Sequence, residues 1–596
     1  MNATTDRPAI EEYGLIGDTR TAALAAADGS IDWMCLPRFD GQPVFGRLVG
    51  GAGAGHFTLG PAHPAAVVSR RYRRDTATLE TTWDCRGGRL TLSEGMIAEV
   101  TGTLLPSTLL VRRLTVTSGP VEALVDFDPR LGERHRSPRI EHRGDVLVCS
   151  WGGTALAVTC TNELTIEAGE AGSIMVTAAR PLTIAVAVSE RGPLAYIGAA
   201  AAYNALEADE RRWQEWAGTI DVDVSYAELV RRSALTLRLL TYSPSGAPVA
   251  APTTSLPEEP GGIRNWDYRF AWPRDASIGV GAFLGLDKTN EARRFMAWLL
   301  HASRLQRPRL PAILTIFGRH VFAERELVDW PGYRNSRPVR IGNGAADQHQ
   351  LDGYGWVLDA AWLLVSAGHR LYSETWRAMR GFTDEVAFRW REPDAGIWEE
   401  RGESTHHVHS KLMAWLALDR ALRIADTHPT SERQTSRWQH ERDAVAIDVA
   451  THGYNSELGS YVRAYGTTDL DAAVLVLPLL DIEPPGSPRV RSTINAIARG
   501  LRASGPLIYR YPPGRDGLAG GEGAFLPCSF WLVQALAMTG RHQEAHQLFD
   551  QLAALASPLG LYAEEMDPST GHHLGNYPQA LTHAALLQAA LALRHT

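Results

Sequence analysis

The hydrophobic period changes once along this 596-residue chain, and that change constrains the fold more than any other feature. From about residue 8 to 190 the apolar residues alternate in short runs, LLVRRLTVTS, VEALVDFDP, DVLVCSWG, ALAVTC and PLTIAVAVSE. A period of two predicts strands with one buried face. Turn formers such as Asp28-Gly29-Ser30 and Gly87-Gly88 punctuate the runs, so an antiparallel β-sandwich is expected over 1–195. Residues 199–217 carry a polar helical pattern, which places a linker with a helix at 196–224. Beyond it almost everything is helical. Ser225 and Glu228 have the spacing of a capping box before a helix whose Leu229, Val230, Ala234 and Leu237 share one face. Apolar-periodic segments near 226, 275, 289, 355, 371, 409, 432, 469, 487, 525, 541 and 579 predict about twelve helices. Short links such as Gly285-Leu286-Asp287-Lys288 and Met538-Thr539-Gly540-Arg541 favour antiparallel neighbours. Hairpins of this kind can close into a ring, so a helical domain over 225–596 completes a multidomain β + α chain.

The formal net charge of −8 leaves no basic footprint for a phosphate backbone, which argues against nucleic acid as a partner. The amino terminus MNATTDRPAIEEYGLIG has neither a positive leader nor an apolar core, and no apolar run has the length of a membrane span. A soluble cytoplasmic protein with no membrane partner is the expectation. Cys35, Cys85, Cys149, Cys160 and Cys528 are scattered and odd in number, which reads as reduced thiols. Cys149 and Cys160 lie in neighbouring runs that could face each other, but a reducing compartment disfavours a disulfide. The seventeen tryptophans crowd into the second half, where they either fill a helical core or line a cleft for a flat, hydroxyl-rimmed ligand.

In a ring of helices the long connecting loops are where charged and aromatic side chains can converge. Four such loops stand out: 264–275, 304–353, 394–404 and 563–578. The first holds Trp266, Asp267, Tyr268, Arg269, Trp272, Arg274 and Asp275. An Arg-Asp pair beside tryptophan offers donors and acceptors to vicinal hydroxyls, as gripping a pyranose requires; it reads equally as a salt bridge capping a helix. Glu399 and Glu400 follow Trp398, where an apolar neighbour and a second carboxylate would raise a carboxyl pKa; a solvated helix start is the plainer reading. Glu564 and Glu565 form a second acidic doublet after Pro558-Leu559-Gly560-Leu561-Tyr562. Glycoside hydrolysis needs two carboxyls across the scissile bond, and a helical ring can bring distant loops together. His406, His407 and His409 lack the spacing of a helical zinc pair, and the run Gly50 to Gly55 lacks a following Lys-Ser/Thr, so neither metal nor phosphate cradle is expected, and no cofactor.

The ordered motifs NWDYRFAWPRD, GNGAADQHQLDGYG, IWEERG and LYAEEMDPSTGHHLGNYPQALTH resemble glycoside hydrolase family 15, the glucoamylase and bacterial trehalase family. The opening YGLIGDTRTAALAAADGSIDWMCLPRFD is similar to that family's bacterial amino-terminal β-domain, so the likeness spans essentially the whole chain. The resemblance implies an N-terminal antiparallel β-sandwich followed by an (α/α)6 barrel. It implies Glu399 as general acid and Glu564 as general base, with Tyr268, Trp272, Arg274 and Asp275 around the non-reducing glucose, Trp398 beside them and Glu400 near the neighbouring sugar. Pro273, between Trp272 and Arg274, departs from the residue often found there, and proline fixes φ and removes a donor.

The implied reaction inverts the anomeric centre and releases glucose from the non-reducing end of a small α-glucoside or oligosaccharide, with the carboxyls about 6.5–9.5 Å apart to admit water. IWEERGE with LYAEEMDPSTGHHLGN leans towards the trehalase-like members and trehalose, with glucoamylase-type action on α-1,4 or α-1,6 glucans as the alternative. A non-catalytic glucan-binding protein on the same fold and a phosphorolytic enzyme are the rival classes. Subunit number is left open, a homo-oligomer included.

Overall fold

A computed structural model describes residues 7–98, 108–161, 166–220, 226–305 and 307–594. The expected capping box falls partly on Ser225, outside the described residues; its helix runs Ala227–Leu239, with Val230, Ala234 and Leu237 buried.

The alternating half folds into two antiparallel sheets. One runs in the order Gly14–Gly17, Ala22–Ala25, Ser30–Leu36, His56–Pro61, Val121–Asp128, Ala171–Val176, with Gln42–Phe45 paired to Ser30–Leu36. The other runs Arg139–Arg143, Val146–Trp151, Thr154–Cys160, Leu182–Glu190, Thr108–Val116, Gly88–Met96, Leu79–Cys85, Ala66–Tyr72. Their facing sides share one core. In Thr108–Val116, Leu110 and Leu114 enter that core, whereas Leu109 and Val111 join a second cluster on the opposite side. Such division is what period two dictates when both faces of a sheet are covered. The cover is the helix Ala199–Gly218, whose Ala199, Ala202 and Leu206 lie over Ala185 and Ala187. The polar pattern read as a connector thus hides an apolar face against the sheet.

Both expected turns are present: Asp28 Oδ1 accepts from Ser30 N at 2.9 Å beside Gly29 at φ 83°, and Cys85 pairs with Gly88 around Gly87 at φ 106°. Cys149 pairs across the ladder with Leu156 and Cys160 with Ile184, so the two thiols do not face each other. Inside the sandwich, Arg112 is fully enclosed. Its Nε meets Glu94 at 2.9 Å, while Nη1 and Nη2 donate to the Phe57 and Gly29 carbonyls at 2.8 and 2.6 Å.

The second half is helical. Pro273–Gly285 packs on Asp352–Ser366, which packs on Val408–Ala425; Leu526–Met538 packs on Ala580–Leu593, which returns to Pro273–Gly285. Between them the segment expected near 469 is a 3₁₀ stretch, Ala472–Leu475, continued by one α turn, Val476–Leu479, and it touches Leu526–Met538. Leu526–Met538 buries every residue from Leu526 to Ala537, whereas Pro488–Gly500 buries a single stripe through Val490, Ile494 and Ile497. Helices apolar all round belong inside and striped ones outside, so the pattern assigns the layers. Ala227–Leu239, Thr289–Ala302, Ser373–Arg389, Glu432–His452 and His542–Ala553 accordingly pack against the outside of inner helices.

Glu94→Gln leaves Arg112 as a buried charge without its counter-ion. The expected loss is about 3–5 kcal/mol of stability, read by urea unfolding. A loss below about 1 kcal/mol would show that the carbonyls alone satisfy Arg112.

Candidate active site

The site grows from a short hairpin. Thr254–Pro257 pairs with Asn265–Asp267, and the chain then runs extended into the helix Pro273–Gly285. Extended backbone sends alternate side chains to opposite sides. Trp266 and Tyr268 line a pocket on one side, while Asp267 and Arg269 turn to the sandwich. There Arg269 grips Asp267 through Nε–Oδ1 at 2.8 Å and Nη2–Oδ2 at 2.7 Å, and its Nη1 reaches the Gly41 carbonyl at 3.0 Å.

Pro273 sits at the first helical position, where the missing N–H has no intrahelical acceptor to serve, so the departure noted in the sequence fits the helix start. Asp275 follows in the first turn, where the helix dipole favours an anion. Arg274 Nε donates to Asp275 Oδ1 at 2.8 Å and Nη1 to the Ile397 carbonyl at 2.9 Å, so the pair is a helix-start salt bridge that also lines the pocket.

Glu399 lies in a tight turn. The helix follows only at Val408, so the solvated helix start does not apply. Its φ of 59° is left-handed, a conformation that costs a non-glycine residue about 1–3 kcal/mol. Gln348 Nε2 holds the turn by donating to the Glu399 and Glu400 carbonyls, both at 3.1 Å. The Glu399 carboxylate takes a hydrogen bond from Trp272 Nε1 at 2.6 Å and lies 3.6 Å from Arg274 Nη1.

Glu564 is 2 % exposed and receives the Tyr268 hydroxyl on Oε1 at 2.6 Å. Its Oε2 accepts no hydrogen bond among the described residues. The rings of Tyr268 and Trp272 meet edge to face at 5.4 Å, so one five-residue stretch presents a donor to each carboxylate. Gly575, at φ 75°, passes so close that a Cβ there would stand 2.8 Å from Glu564 Oε2.

Burial raises both carboxyls. For Glu399 the Arg274 charge and the Trp272 hydrogen bond pull against that rise. Glu564 is pushed up to about 8 by burial and by the nearby Glu258 carboxylate, with Tyr268 and Arg510 opposing.

Two adjoining cavities result. The first is lined by Tyr268, Trp272, Arg274, Asp275, Trp398, Glu399, Arg510 and Glu564 among others. The second shares Tyr268, Trp398, Glu399 and Arg510 and adds Glu258, Arg264, Trp266, Glu400, Arg401 and Asp516. Trp398 stands between them, its Nε1 donating to Asp471 Oδ1 at 2.9 Å and its ring 5.2 Å from that of Phe525. Glu400 is held by Arg463. All eight residues singled out in the sequence therefore converge on this double pocket.

Sequence reading missed three others. Arg510 lines both cavities and bonds Glu522 through Nε at 2.9 Å and Nη2 at 2.6 Å. Glu258 accepts from Trp266 Nε1 at 2.8 Å. Asp352 is fully buried, and burial pushes its carboxyl up to about 7 while Arg274 pulls it back. Asp352 lies within the quoted GNGAADQHQLDGYG stretch, which is the available signal; Arg510 and Glu258 carry none. The three histidines go separate ways: His406 stacks on Tyr465, His407 Nε2 meets Thr405 Oγ1 at 3.0 Å, and His409 is enclosed, with burial pushing its pKa to about 3.

Comparison with known proteins places this geometry. Residues 224–591 match the family Glycosyl hydrolases family 15, and residues 3–161 match the domain described as "Trehalase-like, N-terminal". The chain is 36 % identical to a trehalase of Mycolicibacterium smegmatis over 98 % of its own length and 91 % of the relative's. It is 32 % identical to a trehalase of Thermoplasma volcanium, covering 98 % and 93 % of the two chains. Among solved structures, a bacterial glucoamylase complexed with acarbose superposes with a TM-score of 0.74 at 13 % identity, over 99 % of this chain and 95 % of that one. The β-sheet domain followed by a helical domain seen here matches the fold of that glucoamylase, and the family match makes this a glycoside hydrolase. The chain belongs to glycosyl hydrolases family 15.

Gly575→Ala should displace Glu564 without unfolding the chain, lowering kcat by up to about a hundredfold. Steady-state kinetics beside a melting curve check this; wild-type kcat in a folded variant would show that the close approach is incidental.

Proposed function

We propose that this protein is an inverting, exo-acting α-glucoside hydrolase of the trehalase type, splitting trehalose into two glucose molecules. The observation that carries the reading is the pair of adjoining cavities that meet at Glu399 and share Tyr268, Trp398 and Arg510. A disaccharide lying across Glu399 puts one ring in each. The naming of the two relatives above as trehalases supports the same substrate.

In this reading the first cavity takes the ring to be cleaved. Arg274 and Asp275 supply donors and acceptors to its hydroxyls, and Tyr268 and Trp272 form its aromatic wall. Glu399, common to both cavities, donates the proton to the bridging oxygen; Glu564 draws a proton from water on the far side of the ring. Trp398 and Glu400 receive the departing sugar. The assignment of acid and base rests on motif order, because burial raises both groups. Two carboxyls that feel each other titrate as a pair, and the competent form is the one holding a single proton between them.

The helices are proposed to form an (α/α)6 barrel, supported by the packing of each inner helix on the next. We divide the chain into a sandwich at 1–195, a linker at 196–224 whose helix is anchored on the sandwich, and the barrel at 225–596. A cytoplasmic location is proposed on the scattered, odd-numbered cysteines of the sequence, which suit reduced thiols. No described helix is long and apolar enough to cross a membrane.

Trehalose carries two α anomeric centres, so inversion at one of them releases one β and one α glucose. Proton NMR of the first turnovers is expected to show equal α and β signals. Release of α-glucose alone would mean retention, and preferential cleavage of maltose, isomaltose or soluble starch would replace trehalose as the substrate.

The kcat/KM profile with pH is expected to be bell-shaped with both limbs above the ordinary carboxylate range. Activity is lost as pH falls, when the pair takes up a second proton, and as pH rises, when it gives up its last one. Glu399→Gln should lower kcat about 10²–10⁴-fold and abolish the alkaline limb. An unshifted profile would assign the limbs to other groups.

A further inference from the structure

We infer that residues 512–523 form a strap that ends the second cavity behind a single sugar ring, and that its latch, Arg264 to Asp516, is a determinant of substrate length. The inference rests on the two-cavity reading above and adds a limit to it.

The segment PPGRDGLAGGEG holds five glycines, three of them at positive φ: Gly514 at 77°, Gly517 at 75° and Gly520 at 92°. A chain of that composition pays heavily in entropy for one conformation, so its attachments decide where it lies. Those attachments are specific. Arg264, from the hairpin below Trp266, makes a fork-to-fork pair with Asp516, Nη1–Oδ2 at 2.6 Å and Nη2–Oδ1 at 2.8 Å. The two side chains are only 2 % and 6 % exposed, although the strap itself runs over the surface. Tyr511 OH donates to Asp516 at 3.0 Å, and the Gly521 N–H donates to Glu259 Oε2 at 2.7 Å. Arg463 joins strap and site directly, holding Glu400 with one nitrogen and the Arg515 carbonyl with another at 3.0 Å.

Asp516 and Leu518 are wall residues of the second cavity, which its aromatic side chains Trp266, Tyr268, Trp398 and Tyr511 also line. A sugar beyond the second ring would therefore meet the strap. Bidentate Arg–carboxylate geometry screened from water resists such displacement, and it comes from the same Arg264 that borders the second ring. The substrate class that fits is an α-glucoside whose leaving group is one pyranose.

The test compares wild type, Asp516→Asn and Leu518→Gly on trehalose, maltose, maltotriose and maltotetraose. Asp516→Asn keeps the shape of the latch while removing its charge, and Arg264 retains Glu522 and Glu258 at 3.5 and 3.7 Å. Expected are wild-type preference for disaccharides, a rise of about tenfold in the trisaccharide-to-disaccharide ratio of kcat/KM in Asp516→Asn, and a disaccharide loss seen mainly in KM. Leu518→Gly, which removes a wall without touching a charge, should shift the ratio the same way. Ratios unchanged in both variants, or a wild type that cleaves the tetrasaccharide as well as the disaccharides, overturn the inference. Failure on trehalose with intact maltose-series discrimination instead removes the trehalose reading and leaves the strap standing.

Discussion

The active site depends on a stretch of five residues that holds two distant carboxylates at once. Tyr268 and Trp272 each donate one hydrogen bond, to Glu564 and to Glu399, and their rings pack edge to face. An indole N–H can only donate, and burial, followed by the Glu564 charge, raises the Tyr268 hydroxyl so that it too stays protonated. Both carboxylates are therefore oriented by fixed donors on one rigid run that continues into the helix Pro273–Gly285.

The sandwich supports this arrangement from behind. Trp33 Nε1 donates to the Pro252 carbonyl at 2.7 Å, and Arg269 clamps the hairpin onto Gly41. On the other arm, Tyr577 OH donates to the Tyr13 carbonyl at 3.0 Å, and Glu11 pairs with His572. Segments that carry Tyr268 and flank Glu564 are thus both fastened to the same domain. Holding two carboxylates from distant segments in one geometry needs such a common frame, which a lone ring of loops would not supply.

Much of this was legible in the sequence because it rests on period. Alternation announced the sheets, and spacing of three and four located the helices within a few residues, since burial of one face or of all faces is written directly in apolar spacing. The segment near 469 is a 3₁₀ stretch and one α turn rather than a full helix: Pro478 removes a backbone donor inside it, and Pro484-Pro485 follow closely. In the site, the same alternation separates Trp266 and Tyr268 from Asp267 and Arg269, though from the string alone all four belong to one charged aromatic cluster. Arg510 and Glu258 could not be read at all. Their significance is purely spatial, arising where the 511–523 stretch folds back over the hairpin, and no local pattern encodes that contact.

The charges around the double cavity come in compensated sets, and that suits a neutral ligand. Glu258, Glu522 and Glu565 would repel one another if Arg510 and Arg264 did not lie among them, with Nη2 of Arg510 within 3.7 Å of all three acids. An uncompensated charge would hold water tightly and resist the desolvation that sugar binding requires. Paired charges instead offer fixed donors and acceptors, already partly stripped of water, at little further penalty when hydroxyls replace the remainder. Glu399 and Glu564 lie outside that cluster of ion pairs, Glu399 held by the Arg274 charge and the Trp272 donor and Glu564 by the neutral Tyr268 hydroxyl.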